Sequence, residues 1–566
     1  MRQRNPYRIP AHKVATEFPI LIKQGWYLKS LFNTVSKVSP KEFPAFMRQI
    51  KRRTYLKLSY VNLFKSPAPH SFKNLIPITK ISKKINTFNL NLHSGDDFPI
   101  DVISSLTGLK YLTSLTLDLS RTFFKPNFYD IIIQKIGSLR LLTSLDLSLK
   151  KCYHLSNATI LSGLTKSFSK VRGLQSLKLN VNNLGGNRAE PFEDFFLHLR
   201  SLKKLKELYL GVEFCKISIK AFENLIATIN VLPKLTSLNL GVSLIEVKNL
   251  GRNVANQEKL QLQNVTNLTL TARGRYHDSL IRKFLGGFLR LNQLNLDFGY
   301  SKIENEDLKK LSNYFESFKH LSHLEMDLSR CDQITEAGLT DFFNALSSLG
   351  NLKGLSLKLC HFQKPKIFTP RAMRALGSCV LCLINLHSLA LTLGESSVVR
   401  ETFISLSDWI KFLGNLHELH LNIEKSHECT DETFLSIIKA FSHLKSLIIF
   451  NFGFQYCTLN DESLQVFAEV LLLLPSLEVL HVNFLNYENF SERGIEKFCE
   501  VLSSMKRLKN VTKEFVPKQK RGIGSKKREY ILLGLSVLIP VIAFMACAWY
   551  FYVYIYDKGL LNRRYL

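Results

Sequence analysis

The chain has 566 residues and a formal charge of +30, from 76 Lys and Arg against 46 Asp and Glu. At 46% hydrophobic and 22% charged it sits in the ordinary globular band, which excludes collagen-like, disordered and multi-pass membrane classes. A charge this large points first to a polyanion such as nucleic acid, but residues 1–84 carry a net +16 and residues 511–566 a net +7, leaving +7 on the 426 residues between.

From the N-terminus, charges and prolines break every apolar run in the first thirty residues, so no secretory signal is expected there. Residues 1–84 hold aromatic side chains such as Trp26, Tyr27, Phe43 and Phe46 among the basic ones. They are expected to form a helical cap that seals the first repeat of a stacked array. Their basic excess also suits anionic lipid, at roughly 1 kcal/mol per well-placed Lys or Arg.

From residue 85 to 510 one pattern recurs, L-x-x-L-x-L-x-L, as in LTSLTLDL at 112, LTSLDLSL at 142, LHELHLNI at 416 and LEVLHVNF at 477. Its fourth residue falls at fourteen positions from 88 to 480, about 30 residues apart, with weaker copies starting at 85, 265 and 444. A fixed period of this length means a solenoid. Each unit reads as a short strand with alternate residues (Leu115, Leu117, Leu119) turned inward, then a loop, then a helix with apolar spacing such as Leu339, Phe342, Phe343, Leu346 and Leu349. The expected fold is an α/β solenoid: about fourteen repeats in a curved horseshoe, parallel sheet on the concave side and helices on the convex side.

These repeats resemble the leucine-rich-repeat superfamily, in the subtype with long strand-plus-helix units found in ribonuclease inhibitor. The stretch from Cys331 through Ile334 and Thr335 to Leu339 is similar to the cysteine-containing repeats of F-box adaptors, in which a Cys and an Ile turn inward. Thr335 is placed to cap the following helix through its hydroxyl. The segment from Ser39 to Phe43, with a proline and spaced apolar residues ahead of such repeats, bears a partial resemblance to an F-box.

In a repeat stack of this kind the strand residues between the leucines form the open face. The candidate partner-binding residues are Asp118, Asp146, Tyr209, Asp297, Glu325, Asp327, His420, Phe450 and His481, with Asp297, Glu325 and Asp327 as a patch that would steer a polar or weakly basic protein. A phosphate-tracking surface needs stripes of Arg and Lys with stacking aromatics; these strands hold no Arg between their leucines, so no nucleic acid is expected there. In the copy taken to start at 444, Ile448 and Phe450 put apolar bulk on that face, which reads as an aromatic contact site or a covered end unit.

No phosphate loop, zinc-protease or nucleophile-elbow motif occurs, so neither enzyme activity nor a cofactor is expected. Cys379 and Cys382 have ligand-like spacing without a second pair and read as a buried helix face; the ten cysteines suit reduced thiols. Residues 511–530 form a basic linker containing Lys526, Lys527 and Arg528. It is followed by an uncharged run at 531–556 long enough to span a bilayer and a tail at 557–566. The excess of positive charge before the span places the bulk of the chain in the cytoplasm, in the manner of tail-anchored proteins of the endoplasmic reticulum or another organelle. The leading expectation is a membrane-tethered scaffold binding a protein partner on its concave face. The alternatives are an F-box-like ubiquitin-ligase substrate adaptor and a receptor-type ectodomain, the last requiring glycans at sequons such as Asn157 and Asn264.

Overall fold

The computed structural model describes residues 55–61, 86–93, 111–185, 189–215, 217–242, 262, 264–272, 285–288, 290–362, 367–394, 400–424, 430–455, 459–485 and 490–516. Among them sixteen strands form one sheet, hydrogen-bonded in chain order and parallel throughout. They are β1 (Tyr55–Val61), β2 (Thr87–His93), β3 (Ser114–Asp118), β4 (Ser144–Ser148), β5 (Ser176–Asn180), β6 (Glu207–Val212), β7 (Ser237–Val242), β8 (Asn267–Ala272), β9 (Gln293–Asp297), β10 (His323–Asp327), β11 (Gly354–Cys360), β12 (Ser388–Gly394), β13 (Glu418–Glu424), β14 (Ile449–Gln455), β15 (Val479–Leu485) and β16 (Asn510–Val516). The described helices are α1 (Pro126–Ile136), α2 (Asn157–Phe168), α3 (Glu190–His198), α4 (Ile219–Asn230), α5 (Asn305–Ser312), α6 (Glu336–Leu346), α7 (Pro370–Cys382), α8 (Arg400–Ile410), α9 (Asp431–Phe441), α10 (Asp461–Leu472) and α11 (Glu492–Ser504).

The repeat leucines set the register. Leu115 lies beside Leu145, Leu145 beside Leu177 and Leu389 beside Leu419, so identical faces stack from strand to strand. These leucines are buried against the helix face formed by residues such as Leu339, Phe342, Phe343 and Leu346. Burying each such side chain contributes about 1.5–3 kcal/mol. Neighbouring strands are about 4.8 Å apart whereas packed helices need about 8–10 Å. Where a described helix follows every strand, as from β9 to β15, the mismatch bends the stack with the sheet on the inside.

Two recurring devices join the repeats. Past several strands a non-glycine residue adopts positive φ, as at Arg121 (58°), Tyr300 (62°) and Arg330 (57°). The turned N–H groups continue the inter-strand ladder, Arg121 to the Lys150 carbonyl and Tyr300 to that of Ser329. At the helix starts, the first residue of one helix reaches the cap of the next. Asp431 accepts the Asn460 N–H at 3.2 Å and Asp461 the Ser491 N–H at 2.8 Å. Asn305 accepts the Thr335 N–H at 2.9 Å and donates to the Thr335 hydroxyl at 2.8 Å. Thr335 does occupy the N-cap of α6, but its hydroxyl bonds across to the preceding repeat and makes no hydrogen bond to its own helix.

The sheet runs past both ends of the expected repeat domain: Tyr55–Val61 is a strand paired with β2, and Asn510–Val516 one paired with β15. Cys379 is buried as expected, but Cys382 is exposed at the end of α7. The sequon residue Asn157 is 3% exposed, and Asn264 donates to the Pro233 carbonyl, so the first is closed to a glycan in the folded chain. Among the described residues no helix is long and apolar enough to cross a membrane. The run at 531–556, Lys526, Lys527 and Arg528, and the segment resembling an F-box lie outside the described residues.

Candidate protein-binding face

Alternation along each strand turns the residues between the leucines to the open side of the sheet. Register then arranges them in rows. One row runs Thr116, Asp146, Lys178, Tyr209 and Asn239 across β3 to β7. It continues as Asn295, Glu325, Ser356, Ala390, His420, Asn451 and His481 across β9 to β15. The second row contains Asp118, Asp297, Asp327 and Lys358.

This placement corrects Phe450. It pairs with Leu419 and Leu480, faces inward and is fully buried, with Phe452 and Phe454 beside it in the core. The outward residues of β14 are Ile449, Asn451 and Gly453, so the copy begins at Leu447, three residues later than expected, and the aromatic patch belongs to the interior. The other eight residues named from the sequence lie on the open face.

Several of those eight serve the fold as well. The Asp118 carboxylate accepts the Ser120 N–H and hydroxyl at 3.1 and 2.6 Å, Asp297 the Gly299 N–H at 3.0 Å and Asp327 the Ser329 N–H at 2.9 Å. Each carboxylate closes the turn that leaves its strand. Glu325 accepts from Asn295 Nδ2 at 2.7 Å and from Lys358 Nζ at 2.8 Å. Burial works against the Lys358 ammonium, but the Glu325 hydrogen bond and the charges of Glu325, Asp327 and Asp297 outweigh it and hold its pKa above the usual lysine value. The acidic patch therefore carries its own cation, and its net charge is smaller than the carboxylates alone imply.

At the other acidic position, burial raises the Asp146 pKa; the neighbouring Lys178 works against that rise and Asp118 adds to it. Burial also raises Tyr209, helped by Glu213 and Asp146. Further along, Asn451 bonds the His420 ring, and burial lowers the pKa of both His420 and His481. A histidine whose folded pKa lies below its unfolded value of about 6.5 makes the unfolded chain the better proton acceptor as pH falls. Stability should accordingly decline as pH drops through that value. Urea midpoints measured between neutral and mildly acidic pH should fall more steeply for the wild type than for the His420→Asn/His481→Gln variant. Parallel lines would remove these rings as the cause.

A feature not read from the sequence lies across β8 to β12. Residues two positions earlier in their strands, including Gln293, His323, Gly354 and Ser388, join Asn295, Glu325 and Ser356 around a cavity of about 330 Å³ on the open face. The missing side chain of Gly354 makes the room, since a Cβ there would lie 2.7 Å from His323 Cδ2. Extending the alternation by two residues toward each strand's start would have found these positions.

No family model matches this sequence. Among solved structures, a chain of the yeast Rad7 and Elc1 complex is 17% identical, with 82% of this chain and 94% of that chain covered and a TM-score of 0.36. At that score its assembly cannot be carried over to this chain.

Proposed function

We propose that this protein is a non-enzymatic, membrane-tethered scaffold that holds a protein partner on the open face of its sheet. The observation that supports it is the parallel sheet of sixteen strands, whose face away from the helices carries polar residues around a cavity across β8 to β12. A surface of this length with a central depression suits an extended protein contact anchored by one or a few inserted side chains. The tether rests on the uncharged run at 531–556, with the basic linker before it.

One experiment tests both parts: proximity labelling from the full chain, from a Ser356→Trp variant that fills the cavity, and from a chain lacking 531–556. The wild type should label residents of one membrane together with a set of soluble proteins. Ser356→Trp should lose the soluble set, about tenfold or more for a contact of hot-spot strength, and keep the membrane. The deletion should lose the membrane residents. An unchanged soluble set with Ser356→Trp would remove the open face as the binding site.

A further inference from the structure

The helices are parallel to one another, so each helix ends, and the next strand begins, along one edge of the solenoid. At this leading edge the described connections from helix end to strand start hold sixteen Lys and Arg against two Glu. Along the opposite, trailing edge the described connections hold six Lys and Arg and three acidic residues. Acidic residues in the helix first turns there include Glu190, Glu193, Asp431, Glu432, Asp461 and Glu462.

Part of this separation answers the helix dipoles. Lys203, Lys445 and Arg507 donate to the carbonyls of Val231, Leu473 and Pro475 at or near helix C-termini. Lys204, Lys234, Lys319 and Lys353 do not: they are exposed and pair with no carboxylate among the described residues. Apolar side chains stand among the cations on the same edge. Ile384 is 79% exposed and Phe412 66%, with Leu141, Leu472 and Leu473 also open to solvent.

We propose that the leading edge lies on an anionic lipid bilayer. The proposal rests on the membrane-tethered reading above and adds which surface of the solenoid meets the membrane. Cations attract the lipid phosphates and serine headgroups, and the projecting aliphatic and aromatic groups enter the boundary between headgroups and acyl chains. Sixteen strands about 4.8 Å apart make the edge roughly 70 Å long. Charge spread over such a length fits a plane better than a compact acidic protein. The chain can reach that plane. β16 ends at Val516 on the trailing edge, and fourteen residues separate it from Ile531. Extended, they span up to about 50 Å, more than the roughly 25 Å length of a seven-residue strand that they must pass.

Cys382 is exposed at the end of α7, between Leu381 and Ile384, and reports on this edge. The full chain would be reconstituted into phosphatidylcholine vesicles with and without phosphatidylserine. Alkylation of Cys382 by iodoacetamide would be followed by mass spectrometry. Phosphatidylserine should slow it about tenfold, the effect of a state docked nine-tenths of the time. High salt and the variant Lys204→Glu/Lys234→Glu/Lys319→Glu/Lys353→Glu should each restore the rate. Equal rates on both vesicles, with the protein still floating with them, would overturn the edge contact and leave the tether standing. A chain that floats with neither vesicle would overturn the tether and the edge contact with it. Equal protection by duplex DNA or an acidic peptide without vesicles would assign the edge to that polyanion and overturn the lipid contact.

Discussion

Replacing Phe452 by alanine should destabilise the solenoid by about 3–5 kcal/mol, the range for removing a buried aromatic ring. The ring lies 5.2 to 6.0 Å, centre to centre, from those of Phe434, Phe441, Phe450, Phe454 and Phe467, which tie β14 to α9 and α10. Few relaxations can fill the space. In a stacked array stability is nearly a sum over neighbouring units, so the loss should appear first as faster hydrogen exchange in β13 to β15. Ile449, on the open side of the same strand, should tolerate serine within about 0.5 kcal/mol. Comparable losses at both positions would mean that β14 does not present alternate faces as described.

That pair of substitutions also marks where the sequence became ambiguous. In most copies Leu occupies every inward position, so period and alternation lead to the same strand face found in the fold. In β14 the inward positions are Phe450, Phe452 and Phe454, while Leu444, Leu447 and Ile449 satisfy the leucine template three residues too early. Both frames are apolar, and only pairing with Leu419 and Leu480 separates them. β1 keeps the L-x-L pair, Leu56 and Leu58 beside Phe88 and Leu90, but has Arg53 where the template's leading leucine would stand, and β16 contains no leucine, so the full pattern marks neither.

The open face was legible as a set of positions, but the uses of its charges were not. Asp118, Asp297 and Asp327 look like ligands for a partner until their turns are seen, because the same carboxylate can meet a partner or close its own strand exit. The charge count hid a larger feature. Each repeat tends to place bases where its helix ends and acids where the next helix begins. Summed along the chain these nearly cancel; stacked in parallel they separate to opposite edges. A sequence total of +7 for the middle of the chain is compatible with a strongly basic edge.

The spacing of that edge depends on how closely α7 and α8 approach, which makes Gly377 a sensitive position. Glycine inside a helix is ordinarily about 1 kcal/mol worse than alanine, so Gly377→Ala would be expected to stabilise α7. Here the sign should reverse. A Cβ at Gly377 would lie 2.5 Å from Trp409 Cγ and 2.9 Å from Nε1, and Trp409 is only 5% exposed. Its indole N–H has no acceptor among the described residues, so the ring is held by shape rather than by a hydrogen bond. Gly377→Ala should therefore cost about 1–3 kcal/mol through overpacking, read as a lower thermal midpoint. With Trp409→Leu already in place the clash is gone, and the same alanine should be neutral or return up to about 1 kcal/mol. The resulting coupling of about 1–4 kcal/mol is the signature of direct contact, whereas additive effects would mean that the two helices do not meet through this pair. Ile384 follows α7 and Phe412 follows α8 on the leading edge, so pushing these helices apart should also change the Cys382 alkylation rate on phosphatidylserine vesicles. Trp409→Leu should restore it, because removing the indole relieves the clash that pushes α7 and α8 apart.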